Sequence, residues 1–153
     1  MIKTVSLLIL TLLTAQAAAN QCVELMKKED YYDASPVCEK MAKKGDVPAQ
    51  YGMGILYYQG LGVMADKTQA IKWLRKAAEN NHRVAQYNLG IMIANGQGAQ
   101  PDLVEAYAWL SISAKNGYAD AVEALKNLSA ELSSTEKKDG DKRTQELQKK
   151  YKL

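Results

Sequence analysis

Ala49-Gln50-Tyr51 recurs as Ala85-Gln86-Tyr87, and Trp73-Leu74 recurs as Trp109-Leu110, each 36 positions further along the chain. Other residues repeat at the same step: Gly54 with Gly90, Gly60 with Gly96, Gly62 with Gly98, Asp66 with Asp102, and Ala70 with Ala106. A fixed period between about 20 and 50 residues indicates a repeat architecture. Units of this kind stack because none can bury its apolar face alone. The sequence therefore predicts an all-α solenoid of helix pairs.

Each copy contains the signals of two helices. In the first unit, residues 49–59 form helix A and residues 67–79 form helix B; in the second, the helices cover 84–95 and 103–115. Apolar residues at helical spacing mark the buried face of each helix. Each Gly-x-Gly ends an A helix, because glycine accepts the left-handed backbone of a helix terminus. Asp66 and Asp102 then cap the B helices by accepting hydrogen bonds from free N–H groups.

Projection of the same step extends the solenoid beyond its two full units, 47–82 and 83–118. Backward, it predicts a partial unit over residues 20–46, with helices at 20–28 and 33–44. Forward, it predicts a final A helix over residues 119–132. The solenoid is therefore expected to cover residues 20–132.

A charged segment, residues 133–153, follows the solenoid. Ser133 and Glu136 fit the capping-box pattern, which opens a helix toward Tyr151. Asp139-Gly140-Asp141 should weaken this helix in its middle, because glycine disfavours helix interiors. We expect a frayed C-terminal cap.

Residues 1–19 read as a secretory signal peptide. Lys3 provides a basic start, residues 5–13 are mostly Leu, Ile and Val, and small residues precede a cleavage site. We place the cut after Ala19, with Ala17 as second choice. The expected location is periplasmic or secreted.

Two cysteines, Cys22 and Cys38, remain after this processing. An even count in an oxidising compartment predicts a disulfide. Closing this loop would stabilise the fold by roughly 3 kcal/mol on the chain-entropy view. Two free buried thiols are the alternative.

The charges give no reason to expect nucleic acid or an anionic membrane as a partner. The formal net charge is +3, and both signs are mixed along the chain. The sequence also predicts no membrane insertion.

Residues that could support catalysis or metal binding are few. The one histidine, His82, is expected to be an ordinary exposed loop residue, and with two bridged cysteines it leaves no zinc set. The Gly-x-Gly stretches follow helices and lack the Lys-Ser/Thr of phosphate loops. Trp73 and Trp109 should be core residues. We predict no enzyme activity and no cofactor.

The repeated pattern, Ala-Gln-Tyr-x-Met/Leu-Gly, then Gly-x-Gly, Asp and Ala-x-x-Trp-Leu, resembles the Sel-one-like repeat (SLR), a cousin of the tetratricopeptide repeat. Residues 49–82 and 85–118 match it nearly throughout, and residues 30–46 match the second half of a unit. The second copy departs from the pattern at Ala99, where Val is usual, and at Ser113, where Ala is usual.

The resemblance implies a right-handed superhelix whose A helices line a concave face. It also implies a role as an adaptor in protein complexes, with the chain expected to act as a monomer. Secreted bacterial relatives include immunity proteins that neutralise toxins, and cysteine-rich members with reported penicillin binding. The alternative function is a penicillin-binding or weakly β-lactam-hydrolysing enzyme: Ser134 and Lys137 match the Ser-x-x-Lys pattern of penicillin-recognising enzymes, but the companion motifs are missing.

The predicted binding surface consists of A-helix residues that the core does not use. They should contact a protein or peptide partner, which could be a toxin: Tyr51, Ile55, Tyr58, Tyr87, Asn88, Ile91 and Asn95. Tyrosines and apolar side chains beside amides suit such a patch. For Tyr51, Tyr87 and the two isoleucines, packing between repeats remains the alternative.

Overall fold

The computed structural model describes residues 21–153, and every regular element in that range is a helix. The predicted signal peptide lies outside the described residues. The helices are α1 (residues 21–27 of the described part), α2 (Tyr31–Lys43), α3 (Val47–Gln59), α4 (Lys67–Glu79), α5 (Arg83–Ala94), α6 (Leu103–Lys115), α7 (Ala119–Glu131) and α8 (Ser134–Tyr151). No helix in the described range is long and apolar enough to cross a membrane.

The two full units are the helix pairs α3–α4 and α5–α6. Asp66 and Asp102 cap α4 and α6, accepting from the N–H groups of Gln69 at 2.9 Å and Glu105 at 2.8 Å, which confirms the predicted caps. Gly60 ends α3 in the left-handed conformation, as predicted, with φ +73°. The all-α solenoid of helix pairs is thus the observed fold.

Glycine allows the two helices of each unit to pack closely. A Cβ atom on Gly54 would lie 2.7 Å from the side chain of Leu74, and one on Gly90 would lie 2.9 Å from Leu110. Trp73 and Trp109, 8% and 0% exposed, are core residues as predicted.

The junction between units is formed by repeated polar contacts. Gln86 on α5 is fully buried and donates to the carbonyl of Ala78 on α4 at 3.1 Å. Its side-chain oxygen accepts from Asn116 Nδ2 at 3.0 Å. Gln50, one unit earlier, donates in the same way to Ala42 O at 3.3 Å. The glutamine of the Ala-Gln-Tyr signature therefore satisfies buried backbone carbonyls between neighbouring helices.

A second contact joins the units at the opposite end of the helices. Gly98 has φ +83°, and a Cβ there would lie only 2.3 Å from the carbonyl oxygen of Lys67, at the start of α4 in the preceding unit. Thr68 Oγ1 donates to Gly98 O at 3.4 Å. The equivalent Gly62 approaches Tyr31 O in the same way. The second glycine of each Gly-x-Gly thus has a role in addition to the predicted turn: it permits two units to approach closely.

An ion pair also joins neighbouring B helices. Arg75 on α4 donates to the carboxylate of Glu105 on α6, which also accepts from Trp109 Nε1 at 3.2 Å. Burial raises the pKa of Glu105, but the hydrogen bond and charge of Arg75 outweigh this, so its pKa is lowered overall.

The N-terminal end is a disulfide-linked hairpin. Cys22 on α1 and Cys38 on α2 form the predicted bond, with Cα atoms 4.9 Å apart, and both are buried. They belong to an apolar cluster that includes Met53, Leu56 and Trp73 of the first full unit. The hairpin therefore covers the apolar end of the stack.

The C-terminal end is covered by α8, which packs against α6. The capping box of Ser133 and Glu136 is confirmed. The prediction that Gly140 weakens this helix is wrong: α8 runs unbroken for 18 residues, and Gly140 is buried against the ring of Tyr107. Tyr151, near the end of α8, donates to Glu79 Oε1 at 2.7 Å. At position 140, glycine allows α8 to pack closely against Tyr107 of α6, and this packing keeps the helix intact.

Candidate functional site

Helices α3 and α5 form one depression that contains most of the predicted binding residues. Its volume is about 300 Å³, and its lining includes Ile55, Tyr58, Tyr87, Asn88 and Ile91. These side chains lie together because their helices bury the opposite faces, through residues such as Met53 and Leu89. Leu74 and Met92 also contribute to the lining.

A second depression, about 520 Å³, lies between α5 and α7. Tyr87 and Ile91 line it as well, so the two depressions adjoin. Asn95, the last of the predicted binding residues on α5, lies here. We call the pair of depressions the A-helix groove.

Sequence reasoning missed the α7 side of this groove, which supplies Asp120, Glu123, Asn127 and Glu131. The signal was present, since α7 was predicted from the same 36-residue step. Applying that step to Tyr87 and Ile91 gives positions 123 and 127. The predicted binding residues come only from the two full units.

Tyr51 lies apart from the other predicted residues. Its ring stacks on that of His82, with centroids 4.6 Å apart and planes at 16°. It lines a separate depression beside Val23 and Met26 of α1. Burial raises the pKa of Tyr51, and a hydrogen bond with Asn88 offsets part of this. Tyr51 therefore packs between units.

Tyr87 occupies the equivalent position one unit later and both packs and lines the groove. Its ring meets that of Tyr118 with centroids 5.1 Å apart and planes at 60°. It also contacts the core. Tyr87 therefore packs between units, as the alternative prediction stated, and it also lines the groove.

His82 is not the ordinary exposed loop residue that we predicted. It is the N-cap of α5, where Nδ1 accepts from the N–H of Ala85 at 3.2 Å. Burial lowers the pKa of His82, and the charge of Arg83 adds to this effect. The neutral ring is therefore the form that the fold holds.

The Ser-x-x-Lys pattern lies outside the groove. Ser134 and Lys137 lie on the first turn of α8, where Ser134 is exposed, and neither lines the A-helix groove. Among residues 21–153, no group of three or more His, Cys, Asp or Glu side chains could hold a metal ion.

Comparison with known proteins identifies the repeats. The Sel1 repeat family matches residues 47–82 and 83–118. A sel1-like repeat-containing protein of Acanthamoeba polyphaga mimivirus is 43% identical over 42 residues, which are 28% of this chain and 7% of that protein.

Two solved structures share the fold. A protective antigen of uropathogenic Escherichia coli strains, described as displaying an SLR fold, aligns with a TM-score of 0.84 and 30% identity over 90% of this chain. A Sel1 repeat protein from Oxalobacter formigenes aligns with a TM-score of 0.69 and 33% identity over 74% of this chain. The present chain spans only 30% and 46% of those two proteins. Residues 47–82 and 83–118 of this chain thus match the Sel1 repeat, and the chain is similar in fold to these two proteins.

Proposed function

We propose that this protein is a non-catalytic binding protein that holds a segment of another protein in the A-helix groove. The observation that carries the proposal is the convergence of Ile55, Tyr58, Tyr87, Asn88 and Ile91 on one depression. Sel1 repeat proteins are generally protein-interaction modules, which supports the same reading. Half-buried tyrosines and isoleucines bordered by amides can supply apolar contact and orientation at little cost in side-chain entropy.

Site-specific photo-crosslinking tests the groove directly. A photoreactive phenylalanine analogue replaces Tyr58, which is 37% exposed in the groove, or Tyr32, which is 84% exposed on α2 and serves as the control. Irradiation in the native cells should give an adduct with one defined protein from position 58 and none from position 32. Equal adducts at both positions would contradict the proposal.

A charge variant tests whether the apolar residues carry the affinity. Ile55→Glu with Ile91→Glu should abolish capture of the crosslinked partner, because a carboxylate would be buried against its apolar surface. The matched control is Met64→Glu with Val122→Glu, since these residues are 88% and 56% exposed and lie outside the groove lining. If the glutamates unfold the chain, Ile55→Asn with Ile91→Asn replaces them, because Asn127 already occupies that repeat position.

We also propose that residues 1–19 direct the chain out of the cytoplasm, so that binding takes place in the periplasm or outside the cell. The apolar run at residues 5–13 supports this, as does the Cys22–Cys38 disulfide, which needs an oxidising compartment. N-terminal sequencing of the native protein should start at Asn20 or Ala18. A start at Met1 would contradict it.

A finer form of the proposal is immunity, in which the partner is a toxin delivered to the same compartment. It is supported only by the likeness to secreted SLR proteins. Co-expression with a toxin encoded beside this gene should restore growth, and the Ile55→Glu with Ile91→Glu variant should not. Growth restored equally by both would place the toxin contact elsewhere.

A further inference from the structure

The chemistry of the A-helix groove changes between α5 and α7. At the repeat positions that line it, α3 and α5 carry the same or similar uncharged residues, whereas α7 carries acidic or polar ones: Tyr87, then Glu123; Ile55 and Ile91, then Asn127; Gln59 and Asn95, then Glu131. The acidic side chains therefore come from α7, the final A helix.

The α5–α7 depression is the acidic half. Asp120, Glu123 and Glu131 line it, and none of its described lining residues is Lys or Arg. Asp120 also forms a hydrogen bond with the hydroxyl of Tyr118, which raises the pKa of that tyrosine. The chain as a whole has a formal net charge of +3, so this negative region is local. A concave surface lined by one sign of charge attracts the opposite sign.

The α3–α5 depression is the uncharged half: Ile55, Ile91 and Leu74 share its lining with amides, and none of its described lining residues is charged. At its outer edge, Lys67 Nζ lies 5.6 Å above the ring of Tyr58. A cation is thus disfavoured at the α3 end and favoured at the α7 end. The two ends of the groove therefore differ in charge, which would fix the orientation of a bound segment.

We propose that the occupant is an extended protein segment with an apolar or aromatic side chain and, further along, one or more Lys or Arg side chains. The apolar side chain enters the α3–α5 depression, and the basic side chains face Asp120, Glu123 and Glu131. Tyr87 and Ile91 line both depressions, so one continuous segment can occupy them together. This inference rests on the proposed function and specifies its partner.

The spacing of the two features follows from the fold. Packed helices lie about 8–10 Å apart, and an extended chain rises about 3.3 Å per residue. The basic residue should therefore lie about three residues from the apolar one. Charge complementarity of this kind acts mainly on association rate and on the choice of partner.

A selection from a random twelve-residue peptide library, displayed on phage and panned against the protein purified from full-length expression, tests the inference. Enriched peptides should carry more Lys and Arg than Asp and Glu, with an aromatic or large aliphatic residue about three positions away. For a selected peptide, Glu123→Lys with Glu131→Lys should weaken binding at least tenfold by fluorescence anisotropy. The matched control, Glu29→Lys with Asp139→Lys, makes the same charge change on exposed residues outside the groove and should weaken it less than twofold.

The possible results separate this inference from the proposed function. Peptides that lose binding in Ile55→Glu with Ile91→Glu but show no excess of basic residues would overturn the inference and leave the groove as the binding site. Peptides unaffected by either groove variant would overturn both. If no peptide is enriched, an extended segment is not the occupant, and the inference fails.

Discussion

His82 connects two units through a single ring. Its Nδ1 caps α5, while its face stacks on Tyr51 of the preceding unit. Asp46 holds the equivalent position in the first unit and caps α3 by accepting from Ala49 N–H at 2.8 Å. The repeat step therefore contained the signal for this cap. It was missed because imidazole is not among the usual N-cap side chains.

The state of His82 should make stability depend on pH. Its pKa is lowered in the folded protein, so the unfolded chain binds a proton first as pH falls below about 6.5. The free energy of unfolding should therefore decrease from pH 7.5 toward pH 5. His82→Asp should remove this decrease and keep the cap, as Asp46 does. Urea unfolding of the parent and of the aspartate variant at several pH values measures the pH dependence of each.

His82→Ala is the companion variant. It removes the cap and should lower the free energy of unfolding by about 1 kcal/mol at pH 7.5. If the parent and the aspartate variant lose stability equally between pH 7.5 and 5, the histidine does not cause the pH dependence.

At the scale of elements, the sequence predicts helices better than it predicts the contacts between units. The period, the Asp caps and the glycine stops are local signals, and α4 and α6 have the predicted bounds. The contacts of Gln86 and Gly98 involve atoms of the preceding unit. Their purpose becomes visible only once two units are packed, although their recurrence was plain in the sequence.

The close approach at Gly98 predicts an unequal response to alanine. Gly98→Ala should destabilise by about 2–4 kcal/mol, because the new Cβ would meet a backbone carbonyl and α4 would have to shift. Gly117→Ala is the matched control: its φ is +79°, but nothing lies within 4 Å of the added Cβ. It should cost only the backbone strain, about 1 kcal/mol. Urea unfolding midpoints compare the two, and equal losses would show that the junction tolerates a shift.

On the scale of the whole molecule, the two ends of the helix stack are covered by different elements. A disulfide-linked hairpin covers one, and α8 lies along α6 at the other. In stacked repeats, each unit contacts mainly its neighbours, so a change at the N-terminal hairpin has little direct effect on α5 and α6. The bond from Tyr151 on α8 to Glu79 on α4 reaches past the second full unit. The candidate groove lies between the two ends of the stack, on the successive A helices α3, α5 and α7.

Removing the disulfide should therefore destabilise one end selectively. Cys22→Ala with Cys38→Ala should lower the free energy of unfolding by about 3 kcal/mol. Hydrogen exchange should rise first in α1 and α2, while amides of α5 and α6 keep their protection at low denaturant. A uniform rise along the chain would show that the solenoid unfolds as one cooperative unit.

The contacts at Gln86 and Gly98 also restrict how such a molecule can change in length. The bonds from Gln50 and Gln86 to backbone carbonyls, and the close approaches of Gly62 and Gly98, join each residue to the preceding unit, and equivalent partners are one period apart. A duplicated copy of residues 83–118 would meet correct partners at both of its boundaries. An insertion of any other size within the helices would leave a buried glutamine unpaired and a side chain against a carbonyl. Growth of this protein by gene duplication is thus permitted only in whole steps of 36 residues, and each step would add one more surface on which a longer partner could be recognised.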